Sequence, residues 1–223
     1  MYHAFKRDLN LASITGGTDI ISLFGAPSQI SPVYEGEIQV RGLGMAVEAW
    51  NSAGQDVSDL GEPGDLVCTK PFPCQPVMFW GSDGEERYRD SYFSTFKGIW
   101  KHGDFIRINP LTGGIAMLGR SDGVLKPSGV RFGSAEIYSI LLKHFPEIED
   151  GLGVGRQRDS EADEKVVLFV KMSKGHEMTE DLKDSIRDKI KADLSIRHVP
   201  SVIDEVCYSR SVDAERYVTV EID

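Results

Sequence analysis

The segment Gly119-Arg120-Ser121-Asp122-Gly123-Val124-Leu125-Lys126-Pro127-Ser128-Gly129 constrains the chain most, because its glycines, proline, serines and charges neither pack a core nor lock a backbone. It reads as a connector able to act as a hinge, and the hydrophobic rhythm differs on its two sides. Before it, apolar and polar residues alternate in Glu37–Val40, Met45–Trp50, Asp65–Thr69, Phe105–Ile108 and Gly114–Leu118. Asn109-Pro110 and Thr112-Gly113-Gly114 supply turn chemistry, so the first half predicts an antiparallel sheet or barrel.

After Arg120 the spacing turns helical. Ser134 is expected to cap a helix over about Ala135–His144, with Ile137, Ile140, Leu141 and Phe145 on one face. Strands are expected around Leu152–Val154 and Val166–Val170. Thr179 then caps a second helix, whose Leu182, Ile186, Ile190 and Leu194 recur every four residues and whose Glu180 and Asp181 suit the helix dipole. A short strand near Val202–Val206 closes the pattern.

The 223 residues are 40% hydrophobic and 27% charged, which is the composition of a globular protein able to bury a core. Lys and Arg number 25 against 35 Asp and Glu, a net charge of −10 that argues against gripping nucleic acid through the overall field. An anionic ligand must therefore be held by a local basic cluster. No apolar run approaches the roughly 20 residues of a membrane span, and the N-terminal residues lack an apolar secretion segment, so a cytoplasmic location is expected. Cys68, Cys74 and Cys207 are odd in number and form no CxxC pair, which fits three packing cysteines in a reducing compartment.

Two motifs point to less than they suggest. Gly151-Leu152-Gly153-Val154-Gly155 resembles a dinucleotide loop, but a charged turn follows where that loop needs a helix. His102 beside Asp104 has no second His or carboxylate cluster near it in sequence, and reads as a loop histidine at a strand edge rather than a ligand.

Three stretches carry more together than alone: Thr15-Gly16-Gly17-Thr18-Asp19, His102-Gly103-Asp104, and Gly119-Arg120-Ser121-Asp122 running on to Gly129-Val130-Arg131-Phe132-Gly133-Ser134-Ala135-Glu136. A glycine turn bearing a hydroxyl and a carboxylate can approach phosphate and Mg²⁺. A loop Asp can accept two ribose hydroxyls, and arginines fork onto phosphate oxygens. That combination describes a nucleotide site.

These blocks, with Gly42-Leu43-Gly44-Met45-Ala46-Val47-Glu48-Ala49-Trp50 and Trp100-Lys101-His102-Gly103-Asp104-Phe105, resemble the adenylate-forming enzymes that join a carboxylic acid to coenzyme A, and among them the acetoacetate-activating branch. The resemblance runs to about Glu205. It implies an α/β fold of the α+β kind: the β-rich end of a large AMP-binding domain over 1–120, a hinge over 121–127, a small α+β lid over 128–206 and a divergent tail over 207–223. It implies ATP (leaving as AMP), Mg²⁺, acetoacetate and coenzyme A as the small molecules handled, with no nucleic acid and no membrane span.

By the same resemblance, Thr18 contacts the α-phosphate and Asp19 helps hold Mg²⁺. Asp104 binds the ribose hydroxyls, Arg120 supports the same sugar, and Arg131 reaches phosphate. Asp122 is the hinge residue, Ser128 and Gly129 line the path of the pantetheine arm, and Lys191 lies near the phosphates of coenzyme A. Gly16 stands where acetate-specific relatives place a tryptophan, which implies a longer acyl pocket. The family's Ser/Thr/Gly-rich phosphate loop ending in Lys is not found in residues 1–223, and no lysine follows Lys191 to match the family's C-terminal catalytic lysine. The chain is therefore expected to be a fragment, a mis-spliced gene product or a decayed copy of such a ligase, inactive alone and in need of an N-terminal part of the large domain. A non-catalytic nucleotide- or CoA-binding remnant and a β-rich interaction domain are the alternative readings.

Overall fold

The computed structural model describes residue 4 and residues 6–127, 130–158 and 163–206. Strands β1 (Thr15–Gly17), β2 (Ser22–Ala26) and β3 (Val40–Arg41) form one antiparallel sheet. A second antiparallel sheet joins β4 (Val47–Trp50), β5 (Pro63–Cys68), β6 (Trp100–Ile108) and β7 (Ile115–Arg120) in sequence order. An Ile38–Ile115 bridge couples the two. Four of the five strands expected from alternation are found, β5, β6 and β7 running further than the pattern suggested, whereas of Glu37–Val40 only Val40 enters a strand and Ile38 makes the isolated bridge. Their inward residues, including Phe24, Ile38, Val47, Leu66, Trp100, Ile106 and Ile115, make one core.

The sequence reading missed helix α1 (Gly84–Phe93), inserted between β5 and β6. Gly-Glu-Glu-Arg-Tyr-Arg-Asp-Ser-Tyr-Phe is too polar to show a clear apolar stripe. The helix is nevertheless fixed, because Tyr88 is buried and Tyr88, Tyr92 and Phe93 pack against Trp100 of β6. The ion pairs Arg87–Asp83 and Arg89–Glu85 run along its solvent face at i, i+4 spacing.

Beyond the connector, β8 (Val124–Leu125) pairs with β9 (Phe132–Gly133), and α2 (Ser134–His144), β10 (Ile148–Arg156), β11 (Lys165–Met172), α3 (Glu180–Asp193) and β12 (Val202–Glu205) follow. β10 and β11 are antiparallel, while β12 returns parallel to β11 after α3, which serves as the crossover. Ile137, Leu141, Leu168, Val170, Ile186, Ile190 and Ile203 fill a second core, and Phe105, Leu118 and Val124 form a small cluster at the connector. Thr179 caps α3 as expected, its hydroxyl accepting from the Leu182 N–H at 3.2 Å.

The cap of α2 differs from expectation. Ser134 is the first helical residue and Gly133 is the N-cap, with the Glu136 carboxylate accepting from the Gly133 N–H at 3.1 Å. A Cβ at Gly133 would lie 1.7 Å from the Leu118 carbonyl oxygen, so the close approach of β7 leaves room only for glycine. The Gly151–Gly155 run lies inside β10, where the Gly153 N–H donates to the Tyr138 hydroxyl at 2.9 Å. Ser128, Gly129, Cys207 and the tail over 207–223 lie outside the described residues.

Candidate active site

β6 and β7 pair so that Asp104 stands opposite Arg120, and the Arg120 Nη1 lies 3.0 Å from Asp104 Oδ1. Asp104 is 8% exposed, and its Oδ2 accepts from the Thr15 hydroxyl at 3.3 Å. A carboxylate offers about four acceptor positions, so lone pairs on both oxygens stay open to hydroxyl donors. Gly103, at φ +87°, lies under the arginine; a Cβ there would fall 2.7 Å from Arg120 Nη2. The register shift between Phe105 and Ile106 accompanies this crowding.

The turn after β1 supplies the opposite wall. Gly16, Gly17, Thr18 and Asp19, with Ser91 and Tyr92 of α1 and His102, Gly103 and Arg120 of β6 and β7, line a cleft of about 420 Å³. Thr18 and Asp19 are exposed there. The Asp19 Oδ2 accepts a hydrogen bond from the Tyr92 hydroxyl. Burial, and then the adjacent Asp19 carboxylate, push the Tyr92 phenol above its usual range.

His102 is not the loop histidine expected. It is an interior residue of β6 with a side chain 7% exposed, its ring 4.7 Å from that of Phe24. Its Nε2 is 3.0 Å from the Gly16 carbonyl, and its Nδ1 accepts from the Trp100 indole at 3.5 Å. Because an indole can only donate, the proton must sit on Nε2 and be given to Gly16. The strand pattern began at Phe105, so it left this residue outside the sheet.

Gly16 itself is held by a bulge between β1 and β2. A Cβ on it would meet the Ser22 carbonyl oxygen at 2.0 Å, so the neighbouring backbone demands glycine whatever the cleft contains.

Other predicted residues lie apart. Asp122, on the connector, has a largely exposed side chain 3.8 Å from Arg120 Nε. Arg131 occupies a neighbouring cleft of about 370 Å³ with Ser52, Asp65, Thr95, Phe96, Lys101 and Lys126. There its guanidinium lies over Phe105, and Nη2 is 3.7 Å from Asp65. Lys191 is exposed on α3 and belongs to neither cleft. Gly16, Thr18, Asp19 and Arg120 are thus brought together on one cleft, and Asp104 adjoins it through Arg120. Tyr92, His102, Asp65 and Lys101 are the residues missed; Tyr92 carried only the weak signal of Tyr88, Tyr92 and Phe93 at helical spacing.

Two clusters of strands, a connector and a small α+β unit, with this cleft beside the connector, define the C-terminal architecture of adenylate-forming enzymes. An acetoacetyl-CoA synthetase from Streptomyces lividans superposes with a TM-score of 0.77 at 39% identity, over 87% of this chain and 28% of that one. An acetoacetyl-CoA synthetase from Macaca fascicularis is 57% identical over 203 residues, 91% of this chain. A malonamoyl-CoA synthetase from Penicillium aethiopicum is 52% identical over 92% of it. The chain is homologous to the acetoacetyl-CoA synthetases of the adenylate-forming family, and spans 30% of the length of the macaque relative and 27% of the fungal one. No family model matches it. Among the described residues, no helix is long and apolar enough to cross a membrane.

Proposed function

We propose that the chain is the part of an acetoacetate–CoA ligase that holds the adenosine and α-phosphate end of the nucleotide and swings a lid over it. The parent reaction joins acetoacetate to ATP, giving acetoacetyl-adenylate and pyrophosphate; the thiol of coenzyme A then displaces AMP to give acetoacetyl-CoA. The observation that carries this reading is that Thr18, Asp19 and Arg120, from separate stretches of sequence, line one cleft, with Asp104 bonded to Arg120 beside it.

Asp104, fixed by Arg120 and Thr15, accepts the ribose hydroxyls. The Thr18 hydroxyl donates to the α-phosphate, where added hydrogen bonds stabilise the charge that builds as the carboxylate attacks phosphorus. Among the described residues, no three His, Cys, Asp or Glu side chains gather as a metal cage, so Asp19 would be the chain's carboxylate on a Mg²⁺ ion brought in with the phosphates. Such an ion neutralises phosphate charge. Gly16 and Gly17 line the acyl end. We assign 121–127 as the hinge, with Asp122 its pivot, so that Arg131 leaves Asp65 for phosphate when the lid turns. Ser128 and Gly129 accompany the pantetheine arm, and Lys191 the phosphates of coenzyme A.

Turnover also needs groups that residues 1–223 do not supply. Ile21, Ile30, Leu43, Val77 and Trp80 are each almost fully exposed, and we assign them as side chains covered by the rest of a large AMP-binding domain in the cytoplasm. The test is an assay of the purified chain with ATP, acetoacetate and coenzyme A, alone and mixed with the preceding part of a relative. Activity is expected only in the mixture. A folded mixture that neither turns over nor binds adenylate would refute the reading.

A further inference from the structure

We propose that Tyr92 is the positioning residue of Asp19, holding that carboxylate where it meets a divalent cation carried by a nucleoside triphosphate. The inference rests on reading the cleft as a nucleotide site, but its structural basis is independent of that reading.

Asp19 lies on an exposed turn, where an unheld carboxylate would sample several rotamers. The turn is also strained. Ile21 has φ 45°, a left-handed conformation that a β-branched residue rarely adopts, while its N–H bonds the Gly17 carbonyl at 3.0 Å. Strain of this kind persists only where neighbouring contacts over-determine the backbone.

Two such contacts are present, and both spring from Trp100. The Tyr92 ring stacks on the Trp100 indole at 3.6 Å and 13°, with its hydroxyl donating to Asp19 Oδ2. The same indole donates to His102, which in turn donates to the Gly16 carbonyl. Trp100 is 1% exposed and cannot shift without disturbing the core. The turn from Gly16 to Asp19 is therefore clamped at both ends from one buried ring. With Oδ2 engaged by the phenol, Oδ1 is the oxygen left for a cation.

Tyr92→Phe keeps the stacked ring and removes only the hydroxyl. Calorimetry of the chain with ATP, in Mg²⁺ and in EDTA, is expected to show that the gain in affinity conferred by Mg²⁺ falls roughly tenfold in Tyr92→Phe while metal-free ATP binds as before. The amide resonances of Thr18, Asp19 and Ile21 should move and exchange faster with solvent. Adding Tyr92→Phe to Asp19→Asn should cost no further Mg²⁺-dependent affinity. Equal loss with and without Mg²⁺ would mark a merely structural residue and overturn the proposal, as would an unchanged Mg²⁺ gain. If the unaltered chain binds no ATP, the nucleotide reading fails and the amides decide alone: displaced resonances in Tyr92→Phe sustain the clamp, and unchanged ones overturn it.

Discussion

Glycines at two positions, Gly133 between β7 and α2 and Gly16 in the cleft, show how closely the backbone dictates side chains. Gly133→Ala would drive a methyl group against the Leu118 carbonyl, an atom of the strand backbone that cannot rotate away. Overpacking of this kind costs roughly 3 kcal/mol, so the urea midpoint should drop sharply, and an unchanged midpoint would mean that β7 and α2 yield freely. At Gly16 the Ser22 carbonyl plays the same role, so glycine is required there by the bulge it makes possible. Gly16→Ala should destabilise the chain whether or not an acid is bound. Any exchange of Gly16 for a bulky residue must first displace β2.

Helix α2 and the turn that packs on it carry opposed titrations. Burial pushes the Glu136 carboxyl above its usual 4.5, and burial pulls the His198 imidazole below its usual 6.5. His198 packs on Phe132, with its Nε2 3.9 Å from Glu136. The folded state resists protonating His198, so the stability it allows is present above 6.5 and is lost as pH falls below that value. The folded state retains the Glu136 proton, so its contribution is present below 4.5 and is lost as pH rises through the raised value. Between pH 5 and 7, Glu136→Gln should make stability rise more steeply with pH and His198→Asn should flatten that rise. Urea midpoints across the range check both signs. The elements here were readable from sequence because each had an end signal and a clean period, as Thr179 and the Leu182–Leu194 spacing show. Helix α1 was not, since Tyr88 and Tyr92 owe their place to the Trp100 ring, a partner that no local pattern reveals. His102 was misread for the same reason: its role depends on Gly16, far away along the chain. Asp104 and Arg120 could be read as a pair of functions, but their direct contact follows from the β6–β7 register.

Two separate cores joined through Val124, Leu118 and Phe105 leave the connector as the joint of the molecule. Asp65, 2% exposed on β5, holds that joint from the large side. It accepts from the Ser121 hydroxyl, with Lys101 at 3.6 Å and Arg131 at 3.7 Å. Breaking a buried ionic cluster costs more than a surface pair does. Asp65→Asn should therefore loosen the connector and speed its cleavage by proteinase K several-fold, with Ser121→Ala giving a smaller effect; equal cleavage rates would show that the joint is held elsewhere. The sharpest single measurement is calorimetric titration of the folded chain with AMP, compared with Asp104→Asn. The unaltered chain is expected to bind AMP, and loss of the Asp104 charge to weaken binding roughly ten- to hundredfold. A folded chain that ignores AMP, or an Asp104→Asn variant that binds it equally well, would contradict a nucleotide site between β1, β6 and β7.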